Sequence, residues 1–246
     1  MLDEEHAVEA LVLEALKVLP PLASALEIIV VDDGSRDRTA AIAERLAQKN
    51  ALVRVVRHPQ TLGYGAALRS GFRAARYEVI GFLDGDGQFR VEALGALVSR
   101  LAAPDQPDAV FGERVRRADS KPRSLLGWLY RTLLRALFGL RLRDVDCGCK
   151  VFRREALRGL RVESDGAFFS AELCIKLAGA RAATLGVPHH PRLAGRATGA
   201  RAAVIWRALR DLGKLRLSLW LAPELALRSG ESILLEESAQ PSFSQA

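Results

Sequence analysis

Apolar and polar positions alternate along the first half of the chain with two different periods. Val8, Leu11, Val12, Ala15, Leu16 and Leu19 recur at helical spacing until Pro20-Pro21 stops the run, which predicts an amphipathic helix. The β-branched run 26–31, "LEIIVV", predicts a strand that ends in "DDGS". Helical spacing returns over 37–49, with Asp37 placed to cap it. Residues 52–58, "LVRVVRH", predict the next strand, 63–76 the next helix, and 77–83, "YEVIGFL", a third strand. A helix over 91–102 and a strand over 108–114 continue the series. Strand and helix in turn imply βαβ crossovers and a mainly parallel sheet with helices on both faces. No repeat of fixed period is present.

That order gives meaning to two acidic turns. Parallel strands share one carboxyl edge, and open α/β sheets bind ligands in the crevice outside it. "DDGS" after one strand (Asp32, Asp33) and "DGDGQ" after another (Asp84, Asp86, Gln88) therefore converge on one cleft. Taken alone, "DDGS" reads first as a solvated turn. Two such turns closing two strands of one sheet are more specific. Four carboxylates facing one cleft repel each other and any anionic ligand, and a divalent cation resolves this. Mg²⁺ or Mn²⁺ accepts carboxylate oxygens and is completed by substrate phosphates. Other motifs fail on spacing. An EF-hand starting at Asp84 would need Glu where Gly95 stands, the dinucleotide fingerprint starting at Gly63 meets Leu68 at its sixth position, and no Walker A sequence occurs.

Composition narrows the field only a little. The 246 residues, 49% hydrophobic and 26% charged, suit one large domain. A net charge of +7 allows nucleic acid, an anionic membrane surface or a phosphorylated substrate. Aromatic and basic residues do not interleave as in single-strand binding platforms, which argues against nucleic acid. The three cysteines, Cys147, Cys149 and Cys174, lack zinc-site spacing and read as reduced cytosolic thiols. No signal peptide opens the chain, and no run approaches the roughly 20 apolar residues that span a bilayer.

"EIIVVDDGSRDRT", "GYGAALRSGFRAA" and "FLDGDGQF" resemble the nucleotide-binding half of family-2 glycosyltransferases with the GT-A fold. "DVDCGCKVFRREAL", "FFSAELCIKLA" and "PHHPRLAGRATG" resemble later blocks, in order, of the branch that includes dolichyl-phosphate mannosyltransferase and bacterial polyprenyl-phosphate glycosyltransferases. The resemblance runs from about residue 3 to about 215, so that 1–215 reads as the catalytic domain and 216–246 as a helix end and tail. It implies an inverting, metal-dependent hexosyltransferase that takes a nucleotide sugar of the GDP-mannose or UDP-glucose type to a polyprenyl or dolichyl phosphate. Such an enzyme works from the cytoplasm at the inner face of the plasma membrane. A hydroxyl acceptor and a catalytically impaired nucleotide-sugar-binding protein stay open as alternatives.

Carried over by residue, the resemblance places Asp32, Asp33 and Glu4 at the nucleotide sugar, and Asp84 and Asp86 at a metal bridging to the donor diphosphate. Gln88 assists them, and Arg114, Arg192 and Arg196 approach phosphate groups. A lipid phosphate is already an anion and needs no strong base; a hydroxyl acceptor would call on Asp144 or Asp146. Over 124–143, Leu125, Leu126, Leu129, Leu133, Leu137 and Phe138 form an apolar stripe with Arg131 and Arg135 one turn apart. The stripe reads either as a membrane-apposed helix, which the resemblance favours, or as a core helix with arginines reaching outward.

One element of the resemblance is missing. Family members open with an apolar strand and an acidic turn, and "LDEEHAV" matches only the end of that turn, with Glu4 at the acidic position. Thr61, Thr198 and the shortened "HHPR" also depart from the pattern. The missing strand is central, so the strands at 27–31 and 79–83 are expected to be separated by a gap or to pair directly. A form extended upstream by about ten residues, the length of a strand and its turn, is expected to be more stable and more active.

Overall fold

The computed structural model describes residues 1–115, 121–192, 202–221 and 234–235. The predicted alternation is present. Helix α1 (Val8–Val18) ends in a 3₁₀ turn at Pro20–Leu22, β1 is Ile28–Asp32, α2 Thr39–Lys49, β2 Val53–Arg57, α3 Tyr64–Ala74 and β3 Val79–Leu83. They are followed by α4 (Val91–Leu101), β4 (Ala109–Arg114), α5 (Lys121–Phe138), β5 (Cys149–Arg153), α6 (Arg154–Leu157), α7 (Phe169–Lys176), β6 (Ala182–Val187) and α8 (Ala202–Leu221). The N-cap of α2 is Arg38 rather than the expected Asp37, which stands one residue earlier; its Oδ1 still accepts the N–H of the first helical residue, Thr39, at 2.9 Å, while its Oδ2 accepts the Glu5 N–H at 3.1 Å and ties the chain start to this turn.

Two sheets form, β1-β2 and β3-β5-β4-β6. β1/β2 and β4/β6 are parallel; β5 runs antiparallel to both β3 and β4. This strand matters for the site. An antiparallel strand enters at the edge where its parallel-directed neighbours leave, so the segment 144–148 leading into β5 lies beside the turn after β3. The Asp84 N–H accordingly donates to the Gly148 carbonyl at 2.8 Å. Along β5 the side chains alternate between two cores. Phe152 joins Phe82, Phe111, Phe72 and Phe169 beneath α3, α5, α7 and α8, and Cys149 and Val151 join Leu97, Leu101 and Val110 beneath α4. Val8, Val12, Ala43, Leu46, Val30 and Val53 form a third core between α1, α2 and the small sheet.

β1 and β3 do not pair. Of the two expected arrangements the molecule shows the gap, a cavity of about 2600 Å³ walled on one side by Ile28–Val31 and on the other by Val79–Leu83. At its carboxyl end the Met1 ammonium donates to the Val31 carbonyl at 2.6 Å, and the Met1 carbonyl accepts the Asp33 N–H at 2.8 Å. That is the pattern of a parallel bridge. Met1 also covers the acidic turn, because a Cβ on Gly85 would lie 2.3 Å from Met1 Cγ.

All three cysteines are buried and unbridged, which matches their reading as thiols. Burial pushes the thiols of Cys147 and Cys174 up to about 11 and that of Cys149 up to about 12. Since the thiolate is the nucleophile, iodoacetamide at neutral pH should leave all three unmodified in the folded protein and label all three in denaturant. Mass spectrometry showing labelling under native conditions would contradict this packing.

Candidate functional site

The carboxyl edge gathers several acids away from water, and each buried carboxylate must be compensated. Asp33, buried after β1, is fully engaged. Its Oδ1 meets His58 Nδ1 at 2.7 Å and accepts the Leu62 N–H at 2.9 Å, and its Oδ2 accepts the Gly63 N–H at 2.9 Å. His58 Nε2 in turn meets Ser70 Oγ at 2.8 Å. Asp33 thus fixes the loop that starts α3. Gly63 must be glycine there: its φ is +112°, and a Cβ would stand 2.4 Å from the Asp165 carbonyl. Asp32, fully buried, lies 3.7 Å from Arg57 and accepts the Ser35 N–H at a long 3.4 Å, while its Oδ2 has no hydrogen-bond partner.

Asp84 and Asp86 follow β3 at the mouth of the cavity. Asp84 Oδ1 accepts the Tyr64 hydroxyl at 3.1 Å, and Asp86 Oδ1 accepts the Gln88 N–H at 3.0 Å. Burial and then the charge of Asp86 raise the Asp84 carboxyl above its ordinary value, while Lys150 acts in the opposite sense. A carboxyl whose pKa is raised by folding contributes stability below its unfolded pKa and loses it as pH rises through the folded value. Ionising Asp84 beside Asp86 is therefore a local cost to the fold that a bound cation would relieve. Gly148 leaves room for the pair, since a Cβ there would overlap Asp84 Oδ2 at 1.9 Å. Asp84 and Asp86, which both line the cavity, are the residues that would hold a divalent ion there; among the described residues no third acidic, histidine or cysteine side chain joins them.

The basic residues fall into two kinds. Arg114, at the end of β4, forms a bidentate pair with Asp144: Nε to Oδ2 and Nη2 to Oδ1 at 2.6 Å each, with the Arg114 N–H adding a third bond at 3.1 Å. Both expected roles, phosphate ligand and proton acceptor, meet a geometry in which the two groups neutralise each other. Arg192 bonds Glu4 and comes within 3.9 Å of Asp86 Oδ2. Gln88 Nε2 donates to the His190 carbonyl at 3.3 Å, which draws the segment carrying Arg192 to the acidic turn. Asp146 and Arg114 line the cavity beside Asp84 and Asp86. Arg196 lies outside the described residues.

Several contributing residues carry no sequence signal of their own. Lys150 on β5 is fully buried, donates to the Cys147 carbonyl and sits 5.2 Å from the centre of the Phe82 ring. Its place in strand alternation beside Phe152 marks it as inward-pointing, but nothing in the sequence marks it as a counter-charge for Asp84. Buried Glu172 on α7 accepts the N–H groups of Glu163 and Ser164 at 2.9 Å each and pairs with Lys176 at 2.8 Å. Arg69 on α3 donates to the Val162 and Ser164 carbonyls at 2.9 and 3.1 Å. Together they hold loop 162–166 against α3, where Asp165 and Gly166 form a wall of the cavity.

An α/β architecture with an acidic pair after a strand, beside a deep cavity, is the arrangement of the GT-A fold. The profile of the family described as Glycosyl transferase family 2 matches residues 2–161, and the chain belongs to that family. Among its relatives, Glycosyltransferase AglD of Haloferax volcanii is 35% identical over 178 residues, 69% of this chain and 28% of that protein. Dolichyl-phosphate beta-glucosyltransferase ALG5C of Trichomonas vaginalis is 34% identical over 54% of this chain and 42% of its own. Dodecaprenyl-phosphate galacturonate synthase of Rhizobium johnstonii is 28% identical over 77% and 57%. The chain thus spans between 28% and 57% of the lengths of these relatives. Mannosyl-3-phosphoglycerate synthase from Rubrobacter xylanophilus shares the fold at a TM-score of 0.72 and 16% identity, over 90% of this chain and 74% of that one. Glucosyl-3-phosphoglycerate synthase from Mycobacterium tuberculosis, solved with Mn²⁺, UDP-glucose and phosphoglyceric acid, has a TM-score of 0.62 at 24% identity, over 87% and 77%.

The role of Asp144 can be decided by separating stability from turnover. Removing one partner of a buried ion pair leaves an uncompensated charge, so Asp144→Ala should lower unfolding stability by about 3 to 5 kcal/mol. Arg114→Met combined with Asp144→Leu should recover most of it. Denaturant titration showing Asp144→Ala as stable as the parent would show that the pair does not hold the fold and would leave Asp144 free to act as a base.

Proposed function

We propose that this chain is the catalytic domain of an inverting hexosyltransferase that moves a sugar from a nucleotide sugar of the GDP-mannose or UDP-glucose type to a polyprenyl or dolichyl phosphate. The observation that carries the reading is the Asp84/Asp86 pair at the mouth of a deep cavity, on a chain whose relatives bear the names of dolichyl- and dodecaprenyl-phosphate enzymes. Asp32, whose Oδ2 has no hydrogen-bond partner, and Glu4 would serve the nucleoside side, and Asp84 and Asp86 would hold Mg²⁺ or Mn²⁺ for the donor diphosphate. The ion, when bound, offsets the negative charge that grows on the leaving oxygen.

The chain's own groups account for the rest. An oxygen of the acceptor phosphate attacks the anomeric carbon from the face opposite the diphosphate. The bond from that carbon to the diphosphate oxygen breaks, its electron pair stays on the departing nucleoside diphosphate, and the centre inverts. Arg192, between Glu4 and Asp86, is placed to turn toward a phosphate once one arrives, since a guanidinium favours the bidentate oxyanion over a single shared carboxylate. The lipid phosphate enters as an anion and transfers no proton. If the acceptor were a hydroxyl, Asp146, which lines the cavity, is the better placed of the two aspartates because Asp144 is held by Arg114.

The test is a panel of nucleotide sugars incubated with Mg²⁺ or Mn²⁺ and polyprenyl phosphate. One donor should give a labelled lipid-phosphate sugar of inverted configuration, and Asp86→Ala should lower turnover about 10² to 10³-fold. Transfer to a hydroxyl acceptor alone would replace the lipid-phosphate assignment, and nucleotide binding without transfer to any acceptor would support the binding-protein alternative.

A further inference from the structure

The outer faces of α5 and α8 carry a feature that the donor site does not explain. The chain has three tryptophans, and all three stand on these two helices with their rings in solvent: Trp128 is 55% exposed, Trp206 73% and Trp220 71%. On α8, at about 100° per residue, Trp206, Leu209, Gly213, Leu217 and Trp220 fall within about 60° of one line. Leu209, Leu217 and Leu221 are exposed, and a Cβ at Gly213 would touch nothing. The opposite side of the same helix is the one the protein uses for its core: Leu212 and Leu215 are buried, and Ala208 and Leu219 pack beside them. α8 therefore has two apolar faces, one packed and one exposed. α5 is divided in the same way. Leu134 is buried, Leu133, Leu137 and Phe138 pack on the core, and Leu126, Trp128 and Leu129 are exposed. The apolar stripe expected over 124–143 is thus partly core and partly surface, and the side chain of Leu125 lies outside the described residues.

The charges around these faces identify what they meet. Arg207, Arg210, Lys214 and Arg216 are exposed on α8, and the helix has one acid, Asp211, which pairs with Arg210 and accepts the Ser164 hydroxyl. From 126 to 143 the chain has four arginines and no acid. Apolar stripes flanked by cations, with tryptophan as the only large aromatic at the rim, suit the boundary between anionic headgroups and acyl chains. The indole ring is at home there, and arginine and lysine stems reach back to the phosphates. No described helix is long and apolar enough to cross a membrane, so the contact lies in the plane of the surface. A protein partner or a second copy would bury the same leucines but gives no reason for the one-sided charge.

We infer that the exposed face of α8, together with Leu126, Trp128 and Leu129 of α5, is a docking surface for an anionic lipid bilayer. This extends the lipid-acceptor reading of the proposed function: Leu126 and Leu129 of α5 and Leu209 of α8 also line the cavity that holds Asp84 and Asp86, so a surface-bound protein would open its acceptor side toward the membrane.

Because every tryptophan lies on the surface in question, intrinsic fluorescence reports on it directly. Vesicles of phosphatidylglycerol in phosphatidylcholine should shift the emission of the whole protein to the blue, brominated lipids should quench it, and added salt should weaken both by screening. Phosphatidylcholine alone should bind far less. Trp206→Glu with Trp220→Glu should lower vesicle affinity about tenfold or more, and Lys214→Glu with Arg216→Glu, which keeps the apolar stripe, should remove the preference for anionic lipid. Both double variants should keep transfer to a short-chain, water-soluble polyprenyl phosphate, since none of the four residues lines the cavity. An unchanged spectrum and no sedimentation with anionic vesicles would overturn the inference, and so would self-association of the parent that Trp206→Glu with Trp220→Glu abolishes. If the parent fails to bind vesicles while soluble transfer persists, the docking surface is wrong and the proposed reaction stands. If it binds anionic vesicles but gives no transfer to the soluble acceptor, the docking surface stands and the proposed reaction is wrong.

Discussion

Carboxylate charge buried where the ends of β1, β3 and β4, from two sheets, come together is the constraint around which this protein is arranged. Asp32, Asp33, Glu4 and Asp144 are all nearly inaccessible to water, and an unpaired carboxylate in such a place would cost more than the fold can spare. Three of the four are compensated from within: Asp33 by His58 and two backbone N–H groups, Asp144 by Arg114, and Glu4 by Arg192. Asp32 has an oxygen with no hydrogen-bond partner, 3.7 Å from Arg57, and Asp84 and Asp86 each accept one described bond while repelling the other. The satisfied carboxylates hold the segments around them in place, and in the proposed function Asp84 and Asp86, which keep fewer partners, would take the cation.

The same constraint explains why elements distant in sequence converge. β5 runs against its neighbours and so delivers 144–148 and Lys150 to the edge at which β3 ends. Loop 162–166, fixed by Glu172 and Arg69, closes one side, and the glycines at 63, 65 and 148 allow backbone and carboxylate to approach where any side chain would collide. Behind the edge, the gap between β1 and β3 leaves two apolar strands facing a cavity rather than each other. Packing around it rests on α1, α3 and α4 rather than on a continuous ladder of backbone hydrogen bonds.

Much of this is legible in the sequence. The strands ending at Asp32 and Leu83 are visible because apolar runs end in acidic, glycine-containing turns, but the single parallel sheet expected to join them is not formed: β1 and β3 stand in separate sheets on either side of the cavity. The antiparallel course of β5 is not legible, since "CKVFR" has the same alternation whichever way it runs. Nor are the pairings: Asp144 and Arg114 are 30 residues apart, and Glu172 reads as one more acid on a short helix until the backbone it holds is seen. The stripe over 124–143 reads as one face because α5 alone gives no sign that its leucines divide between core and solvent, which only the neighbouring helices decide.

The central claim is that Asp84 and Asp86 form the cation-dependent seat of the donor diphosphate, and calorimetric titration of UDP and GDP into the protein tests it most directly. One of the two nucleotides should bind in the presence of Mn²⁺ or Mg²⁺, lose that affinity on chelation, and fail to bind Asp86→Ala at any metal concentration that leaves the protein folded. Equal binding by the parent and Asp86→Ala, with and without chelator, would contradict the account.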